Sequence, residues 1–413
     1  MSGAARVLNG RLTGADFLQD KRVQRVFATL ESPGEETRVV GGAIRNALMG
    51  IAVHEVDFAA TLQPTDIMKR AQAAGVRAIP TGIEHGTVTL LVDGATFEVT
   101  TLRHDVETDG RYAKVRFGRS FEEDALRRDF TMNALSADRT GALFDYTDGV
   151  GDIGRRHVRF IGEARQRIRE DYLRILRFFR FHAAYGEGAM NREAFEAAIS
   201  EHAGIERLSR ERVRSELLKL LAAKRCADVI GDVAGAGILG PILAGVAHPG
   251  RLANLVRSGS DAGDPVLRLA ALGLLIEEDA DRLLDHLRLS NAERDRLAAA
   301  ARALAKLHAP DSLDEKALRA LLYRHGRQAL LDALRLASAS DDRDRSAALA
   351  FVQAEPLRKL PLGGADLIRR GMVPGPALGA ALAEIEQRWV EADFPADGAT
   401  LEALVASTLA TRT

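Results

Sequence analysis

The chain has 413 residues, of which 46% are apolar and 28% are charged, and its net charge is −1. This balance is typical of a globular protein with a buried core, and it excludes disorder as the main state. The length suggests two to four domains. The single cysteine, Cys226, excludes a disulfide framework and a cysteine-based zinc site, and it favours a cytoplasmic location. No apolar run approaches the roughly 20 residues that span a bilayer, so no membrane partner is expected.

Two kinds of sequence follow each other along the chain. Residues 37 to 150 carry short β-like segments broken by Gly, Asp and Thr, mixed with helical stretches such as 66 to 74. From residue 163 onward, Ala-, Leu- and Arg-rich segments with helical spacing dominate. The sequence therefore predicts an α+β fold, with a mixed sheet first and an all-α part after it. The predicted strands cover residues 38–40, 55–58, 86–92, 95–102 and 114–117.

The first motif is a double glycine between a predicted strand and a predicted helix. Gly41 and Gly42 follow Val40, and helical residues begin after them. Glycines at such a turn let the backbone approach a phosphate, and free N–H groups at a helix start attract anions. Arg45 is expected in the first turn, within reach of that anion. Taken alone, a double glycine before a helix is more often only a turn.

The second motif consists of carboxylates. Glu55 and Asp57 are two residues apart in a predicted strand, so both should point to the same face. Neighbouring like charges need a cation, and hard carboxylate oxygens suit Mg²⁺. Glu98 is expected to face away from Phe97 and Val99 in another strand. If the two strands are neighbours, three carboxylates converge where two metal ions can assist nucleotidyl transfer. The alternative is a solvated strand edge.

The third and fourth motifs are rich in arginine. Residues 127 to 134 have the sequence Arg-Arg-Asp-Phe-Thr-Met-Asn-Ala. Between residues 151 and 183 the chain has nine arginines but only four acidic residues. A helix predicted across residues 171 to 181 places its apolar side chains on one face, at Tyr172, Ile175, Leu176 and Phe179. The opposite face carries Asp171, Arg174 and Arg177. By itself this pattern also fits an exposed, salt-bridged helix.

Together, in this order and spacing, the four motifs resemble the class II tRNA nucleotidyltransferase and bacterial poly(A) polymerase family, the CCA-adding enzymes. The resemblance rests on Gly-Gly-x-x-Arg, the acidic pair, Arg-Arg-Asp-Phe-Thr-x-Asn-Ala and Glu-Asp-x-x-Arg-x-x-Arg-x-x-Arg-Phe. It is firm over residues 37 to 183 and looser beyond them. The chain departs from the family pattern at Asn46 and Glu55, where the family generally has Asp.

The resemblance implies a DNA polymerase β-like nucleotidyltransferase head, built from a mixed sheet with helices, followed by an all-α neck, body and tail. The head is expected at residues 12–150, and the neck, with the helix that recognises the nucleobase, at 151–220. The body is expected at 221–310 and a tRNA-binding tail at 311–413.

The implied activity is template-independent addition of C and A nucleotides (CCA) to the 3′ end of tRNA. CTP and ATP would be the substrates, pyrophosphate would be released, and two Mg²⁺ ions would be the cofactors. Glu55 and Asp57 would be metal ligands, with Glu98 as a third catalytic carboxylate. Alternatives within the same chemistry are a poly(A) polymerase and CC-only or A-only addition. An RNA-binding protein with an inactive head is an alternative of another class. No obligatory protein partner is expected.

The resemblance also implies a set of nucleotide-binding residues, namely Gly42, Arg45, Arg127, Asn133, Asp171, Arg174, Arg177 and Arg180. Asp171 and Arg174 would together recognise the base edge shared by cytosine and adenine. Arg128 and Asp129 are expected to brace their motif as a mutual ion pair. The polar segment 105–112 falls where the family has a flexible loop linked to the switch from C to A addition.

Overall fold

The structure, a computed structural model, describes residues 4–107, 114–307, 313–341 and 343–410, with the backbone alone at 104–107 and 114–116. Most of the segment 105–112 therefore lies outside the described residues. The chain forms two compact units, the first ending at Ile242 and the second starting at Leu243. The finer division at residues 150, 220 and 310 stays a prediction.

The strands belong to the first unit and confirm the mixed sheet. Their bounds are β1 Arg6–Leu8, β2 Arg11–Thr13, β3 Thr37–Val40, β4 Asp57–Ala60, β5 Arg77–Gly82, β6 Thr87–Val92, β7 Ala95–Thr101, β8 Arg103–Glu107, β9 Lys114–Phe117, β10 Ser136–Ala137 and β11 Leu143–Phe144. The main sheet has the order β11-β10-β3-β4-β7-β6-β5. The pair β4 and β7 is parallel, and the other neighbours are antiparallel. The pairs β1–β2 and β8–β9 form separate two-stranded sheets.

Two differences from the predicted strands have physical reasons. The sequence analysis missed β5, whose residues are mostly exposed and include a proline, so no apolar alternation reveals it. It placed a strand at 55–58, but β4 begins at Asp57. The register pairs Val40, the last residue of β3, with Asp57. The chain then turns at Gly41, so Glu55 has no ladder partner on β3 and lies in the preceding loop.

Helices surround the sheet and continue beyond it in the first unit. Their bounds are α1 Asp16–Gln19, α2 Lys21–Leu30, α3 Gly42–Leu48, α4 Pro64–Ala73, α5 Phe121–Leu126, α6 Gly149–Gly154, α7 Ala164–Glu170, α8 Leu173–Tyr185, α9 Arg192–Glu201, α10 Arg210–Ala222 and α11 Cys226–Gly235. A further helix, α12, covers Leu239–Leu243 at the border. Short 3₁₀ turns lie at Ile83–His85, Thr131–Asn133 and His202–Arg207.

The described residues of the second unit form helices joined by loops, with no strand among them, as the spacing of its apolar residues predicts. The helices are α13 Pro249–Ser258, α14 Pro265–Gly273, α15 Glu278–Leu287, α16 Asn291–Leu307, α17 Glu315–His325, α18 Arg327–Asp341, α19 Ser346–Ala354, α20 Gly364–Arg369, α21 Pro376–Glu391 and α22 Gly398–Ala410. None of the helices in the described segments combines the length and the apolar character required to cross a bilayer.

An aromatic cluster joins the third motif to α8. The ring of Phe130 is fully buried, and its centroid lies 4.9 Å from that of Phe160 and 4.8 Å from that of Phe181. Phe160 in turn stacks on Phe178 of α8 at 5.8 Å. Such ring pairs add directional contacts to the large apolar area that each ring buries. The cluster therefore fixes α8 against the segment that follows Asp129.

Removal of the central ring should loosen this attachment. Phe130→Ala should lower the free energy of unfolding by about 3–5 kcal/mol, because a buried ring is replaced by a cavity. Urea unfolding followed by circular dichroism measures the loss. Leu126→Ala is the control, because that side chain is 40% exposed and should cost little. Equal, small effects of the two substitutions would contradict the structural role of the cluster.

Candidate active site

One cavity of about 710 Å³ in the first unit is lined by every residue that the sequence analysis selected. These residues are Glu55, Asp57, Glu98, Gly42, Arg45, Arg127, Asn133, Asp171, Arg174, Arg177 and Arg180. They come from separate parts of the chain: helix α3 and the loop after it, strands β4 and β7, the segment after α5, the residues between α7 and α8, and α8 itself. The fold thus brings the four motifs to one place.

The double glycine forms the sharp turn that begins α3. Gly41 has φ +69° and ψ −116°, a combination that favours glycine. A Cβ atom at Gly41 would lie 3.1 Å from Nη1 of Arg128 and 3.4 Å from the carbonyl oxygen of Asn133. The turn is therefore needed both for its backbone angles and for the close approach of the third motif.

Arg45, at the fourth residue of α3, is buried and held from three sides. Its Nη1 donates to Oδ1 of Asn133 at 2.6 Å, and its Nη2 donates to Oδ1 of Asn46 at 2.8 Å and to the hydroxyl of Tyr185 at 3.0 Å. Burial lowers the pKa of Arg45 from its ordinary value. Asn46, one of the two departures from the family pattern, thus orients this guanidinium.

The carboxylates converge through the pairing of β4 with β7. The parallel register sets Phe58 opposite Val99, which places Asp57 level with Glu98. Phe97 and Val99 are buried while Glu98 is exposed on the other face, as expected. Glu55 approaches from the loop before β4 and not from the strand itself.

These acids form an unfavourable group in the absence of a cation. Partial enclosure by protein raises the pKa of Asp57, and the negative charges of Glu98 and Glu55 raise it further, whereas Arg128 acts in the opposite direction. Among the described residues, no group of three or more Asp, Glu, His or Cys side chains has the arrangement of a complete metal site. Mg²⁺ usually takes one or two carboxylates together with waters and substrate phosphates. Glu55 and Asp57 fit such a partial, oxygen-only site.

The arginines of the cavity are anchored by buried acids. Asp124 of α5 accepts from Nε of Arg127 at 2.9 Å and from Nη2 of Arg128 at 3.0 Å. Asp129 instead accepts from Nε of Arg177 at 2.8 Å. The expected mutual pair of Arg128 and Asp129 was therefore wrong, because each residue has a different partner.

Both anchoring acids are charged despite their burial. Burial opposes the ionisation of Asp129, but the Arg177 guanidinium holds its pKa below the ordinary value. Burial likewise opposes the charge of Asp124, and Arg128 and Arg127 lower its pKa. Asn133 connects the two networks, since its Nδ2 donates to Oδ1 of Asp129 at 3.1 Å and its Oδ1 accepts from Arg45.

Asp171 lies between two helices and not within one, which corrects the prediction. Helix α7 ends at Glu170 and α8 begins at Leu173, so Asp171 has an extended backbone with φ −156°. Its Oδ1 accepts from the N–H of Leu173 at 3.1 Å and thereby caps α8. Its Oδ2 accepts from Nη2 of Arg212, in α10, at 2.7 Å.

Arg174 is held through one nitrogen. Its Nη1 donates to Oε2 of Glu170 at 2.5 Å and to the carbonyl oxygen of Arg167 at 2.9 Å. Within the described part of the chain, these hydrogen bonds leave the Nε and Nη2 donors of Arg174 without a protein acceptor. Asp171 and Arg174 both line the cavity, and each is oriented by its own partners. Asp171 offers carboxylate oxygens there, and Arg174 offers N–H donors.

The sequence analysis missed two residues of α10 that support this wall. Glu216 is 5% exposed and accepts from Nε of Arg180 at 2.6 Å, and Arg212 holds Asp171. A signal was present, because Glu216 lies three residues after Val213 and four before Leu220, on the buried face of an amphipathic helix. An acid on that face needs a buried cationic partner.

Comparisons with known proteins identify the proteins that this chain resembles. Residues 37–159 match the model of the poly A polymerase head domain, and residues 267–405 match a model described as tRNA nucleotidyltransferase domain 2, putative. The CCA-adding enzyme of Lacticaseibacillus paracasei is 32% identical over 93% of this chain and 94% of its own length. The mitochondrial CCA tRNA nucleotidyltransferase 1 of mouse is 37% identical over 67% of this chain, which spans 64% of that relative.

A solved structure shows the same architecture. The CCA-adding enzyme of Bacillus stearothermophilus in complex with CTP superimposes with a TM-score of 0.76 at 27% identity, covering 95% of this chain and 98% of that one. The fold and the cavity define a nucleotidyltransferase with a polymerase β-like head. Because the likeness to the L. paracasei enzyme covers nearly the full length of both proteins, the chain belongs to the CCA-adding enzyme family.

The opposed pKa shifts of two acids give a direct test of the charge balance. The folded state raises the pKa of Asp57, so its charge opposes folding above that pKa. Asp57→Asn should therefore raise the free energy of unfolding near neutral pH, and the gain should vanish as acid protonates the native carboxyl. Urea unfolding across a pH series measures both effects.

Asp124→Asn is the matched substitution with the opposite sign. The folded state lowers the pKa of Asp124, so its charge stabilises the fold above the unfolded pKa near 4. This variant should lose about 3 kcal/mol near neutral pH, and the loss should shrink as the pH falls. If Asp57→Asn instead destabilises the protein at neutral pH, the negative charge of Asp57 is already neutralised by its surroundings, and the prediction is contradicted.

Proposed function

We propose that the chain adds CCA to the 3′ end of tRNA without a nucleic-acid template, using CTP and ATP and releasing pyrophosphate. One observation carries the proposal: the acidic group around Asp57 and the pair Asp171 and Arg174 line the same cavity. The first suits chemistry on a phosphate, and the second suits selection of a base. The likeness to the CTP-bound bacterial enzyme supports the substrate class.

Membership of the family implies dependence on a divalent metal ion, and we propose two Mg²⁺ ions held by Glu55 and Asp57. Ions bound there would activate the attacking hydroxyl and neutralise charge on the leaving pyrophosphate. Glu98 would add a third carboxylate beside Asp57 from the neighbouring strand. The longer side chain of Glu55 reaches the cavity from a loop, so its position does not depend on a strand face.

The chain's own arginines would position the triphosphate. Arg45 and Arg127 line the cavity and present planar donor groups whose orientation is fixed by Asn133 and Asp124. Because these partners already hold the guanidinium groups, little reorganisation is required when the nucleotide binds. Gly42 keeps the same wall free of a side chain. Arg177 and Arg180, tied to Asp129 and Glu216, would support the base-recognising pair.

Base selection follows from donor and acceptor order. Cytosine and adenine both offer an amino donor beside a ring-nitrogen acceptor, which match the carboxylate of Asp171 and a free N–H of Arg174. Guanine and uracil offer a carbonyl acceptor beside an N–H donor, the reverse order. Each mismatched pair costs roughly 1–3 kcal/mol and leaves polar groups unpaired. One pair of side chains can therefore accept C and A and reject G and U.

The helical tail, residues 311–413, would bind tRNA mainly through its phosphates, with affinity that falls as salt rises. The match of residues 267–405 to the second nucleotidyltransferase domain supports a role for this unit in the same reaction. A cytoplasmic location stays a prediction.

A product assay tests the activity. The chain, with Mg²⁺, a tRNA lacking its terminus, and CTP and ATP together or singly, should yield tRNA ending in CCA. A long A tail would instead identify a poly(A) polymerase, and addition of CC alone or of A alone would identify a partial enzyme.

Asp57→Ala should abolish turnover while tRNA binding persists. Asp66→Ala, an exposed helical carboxylate paired with Lys69, should leave both unchanged. A native chain without turnover that still binds tRNA would mark an inactive head.

Selectivity tests the base-recognising pair. Arg174→Ala should reduce the preference for CTP and ATP over UTP and GTP by about tenfold or more, since a discriminating hydrogen bond is lost. Competition assays with all four nucleotides measure the preference. Arg192→Ala is the control, because Arg192 forms a similar four-residue helical ion pair with Glu196 but is exposed. Unchanged rejection of UTP and GTP by the Arg174 variant would contradict the assignment.

A further inference from the structure

One side of the cavity has no part in nucleotide binding as described above. Across the main sheet, the order β3, β4, β7 and β6 passes from the Gly41 turn to Asp57, then to Glu98, and then to Thr87 at the start of β6. Thr87, Thr100 and Arg103 all line the cavity beyond the acids. The cavity is therefore cationic at one end, acidic in the middle and rich in hydroxyl groups at the other end.

The hydroxyl pair at that end is fixed in position. Thr87 and Thr100 are directly opposite each other on β6 and β7, and their Oγ1 atoms are 3.1 Å apart. The preceding Gly86 has φ +85°, and a Cβ atom there would lie 2.8 Å from Cε1 of Phe117. The N–H of Thr101 also donates to the carbonyl oxygen of Gly86 at 2.9 Å. Both threonines are half-buried, so the pair is rigid but accessible.

Arg103 adds a cation next to this pair. It begins β8, two residues after β7 ends, and its Nη1 donates to the carbonyl oxygen of His85 at 2.7 Å. This bond orients the guanidinium from the turn that precedes Gly86. A guanidinium has five N–H donors in a planar fork, so bonds to neighbouring protein groups do not by themselves prevent contact to a phosphate.

The geometry of phosphoryl transfer suggests a role for the end of the cavity that Thr87, Thr100 and Arg103 line. The attacking and leaving oxygens lie roughly in line on opposite sides of the phosphorus atom. If the arginine-lined end holds the departing pyrophosphate, the acceptor hydroxyl must arrive from the opposite side of the acids. We propose that Thr87, Thr100 and Arg103 form the acceptor subsite, which holds the terminal ribose and terminal phosphodiester of the RNA 3′ end. This inference rests on the proposed function.

The chemistry of the three side chains fits that ligand. A threonine hydroxyl can donate one hydrogen bond and accept others, which matches the 2′-hydroxyl that distinguishes RNA from DNA. The bond between the two threonines uses one hydrogen, so the pair as a whole still offers one donor and free lone pairs. A neutral hydroxyl pair suits a sugar, and a single guanidinium suits a single phosphodiester.

The test uses two tRNA acceptors that differ only in the last nucleotide, which is either ribo or 2′-deoxy. The native chain should extend the ribo-terminated acceptor with about tenfold higher kcat/KM, the value of one good hydrogen bond. In Thr87→Val with Thr100→Val, which preserves shape, the ratio should fall to about twofold or less. The loss should appear mainly in KM for tRNA, with CTP binding unchanged. Arg103→Gln should raise KM for both acceptors equally.

The chain offers a matched control for folding effects. Thr81 and Thr89 form a second hydroxyl pair, with Oγ1 atoms 2.8 Å apart, on β5 and β6. Neither residue lines the cavity. Thr81→Val with Thr89→Val should therefore leave the ribo-to-deoxy ratio at the native value.

Three outcomes would overturn the acceptor subsite: equal use of both acceptors by the native chain, a native ratio in the Thr87 and Thr100 variant, or an equal fall in the control. A native chain that extends no tRNA at all would overturn the proposed function, and the acceptor subsite with it. An active chain with an unchanged ratio would overturn the subsite alone.

Discussion

The proximity of Asp57 to Glu98 and Glu55 is the constraint on which the site depends. The parallel pairing of β4 with β7 forces Asp57 and Glu98 to the same level, and the Gly41 turn leaves Glu55 in an unpaired loop beside them. Enclosure and like charge make the ionised Asp57 unfavourable, as its raised pKa shows. The arginine–acid ion pairs around the carboxylates maintain this arrangement in the folded protein. A bound cation would reduce the repulsion between the carboxylates.

Those ion pairs join four arginines of the cavity to acids of low exposure. Asp124 holds Arg127 and Arg128, Asp129 holds Arg177, and Glu216 holds Arg180. Each pair keeps a guanidinium fork oriented before any ligand arrives, which is the condition for electrostatic preorganisation. Because the paired residues come from α5, the segment after it, α8 and α10, the side chains proposed for base recognition and for phosphate binding belong to one connected wall of the cavity.

The sequence predicted which residues meet, but not how they are connected. Strand and helix spacing put Glu55 with Asp57, and Arg174 with Arg177, on shared faces, and the family resemblance that the motifs carry implied the remaining nucleotide-binding residues. The break at Asp171 was missed, since a carboxylate that caps a helix is indistinguishable in spacing from one on its face. Arg212 and Glu216 were missed because their partners lie about 40 residues away, and only the packing of α10 on α8 brings them close.

The central claim is that one cavity combines metal-assisted phosphate chemistry with base selection by protein side chains. The most direct measurement is a crystal structure of this chain with Mg²⁺ and a non-hydrolysable CTP analogue. The account predicts metal density on Asp57 and Glu55, the triphosphate beside Arg45, and the cytosine edge hydrogen-bonded to Asp171 and Arg174. A base bound away from that pair, or a metal site that does not include Asp57, would contradict the claim.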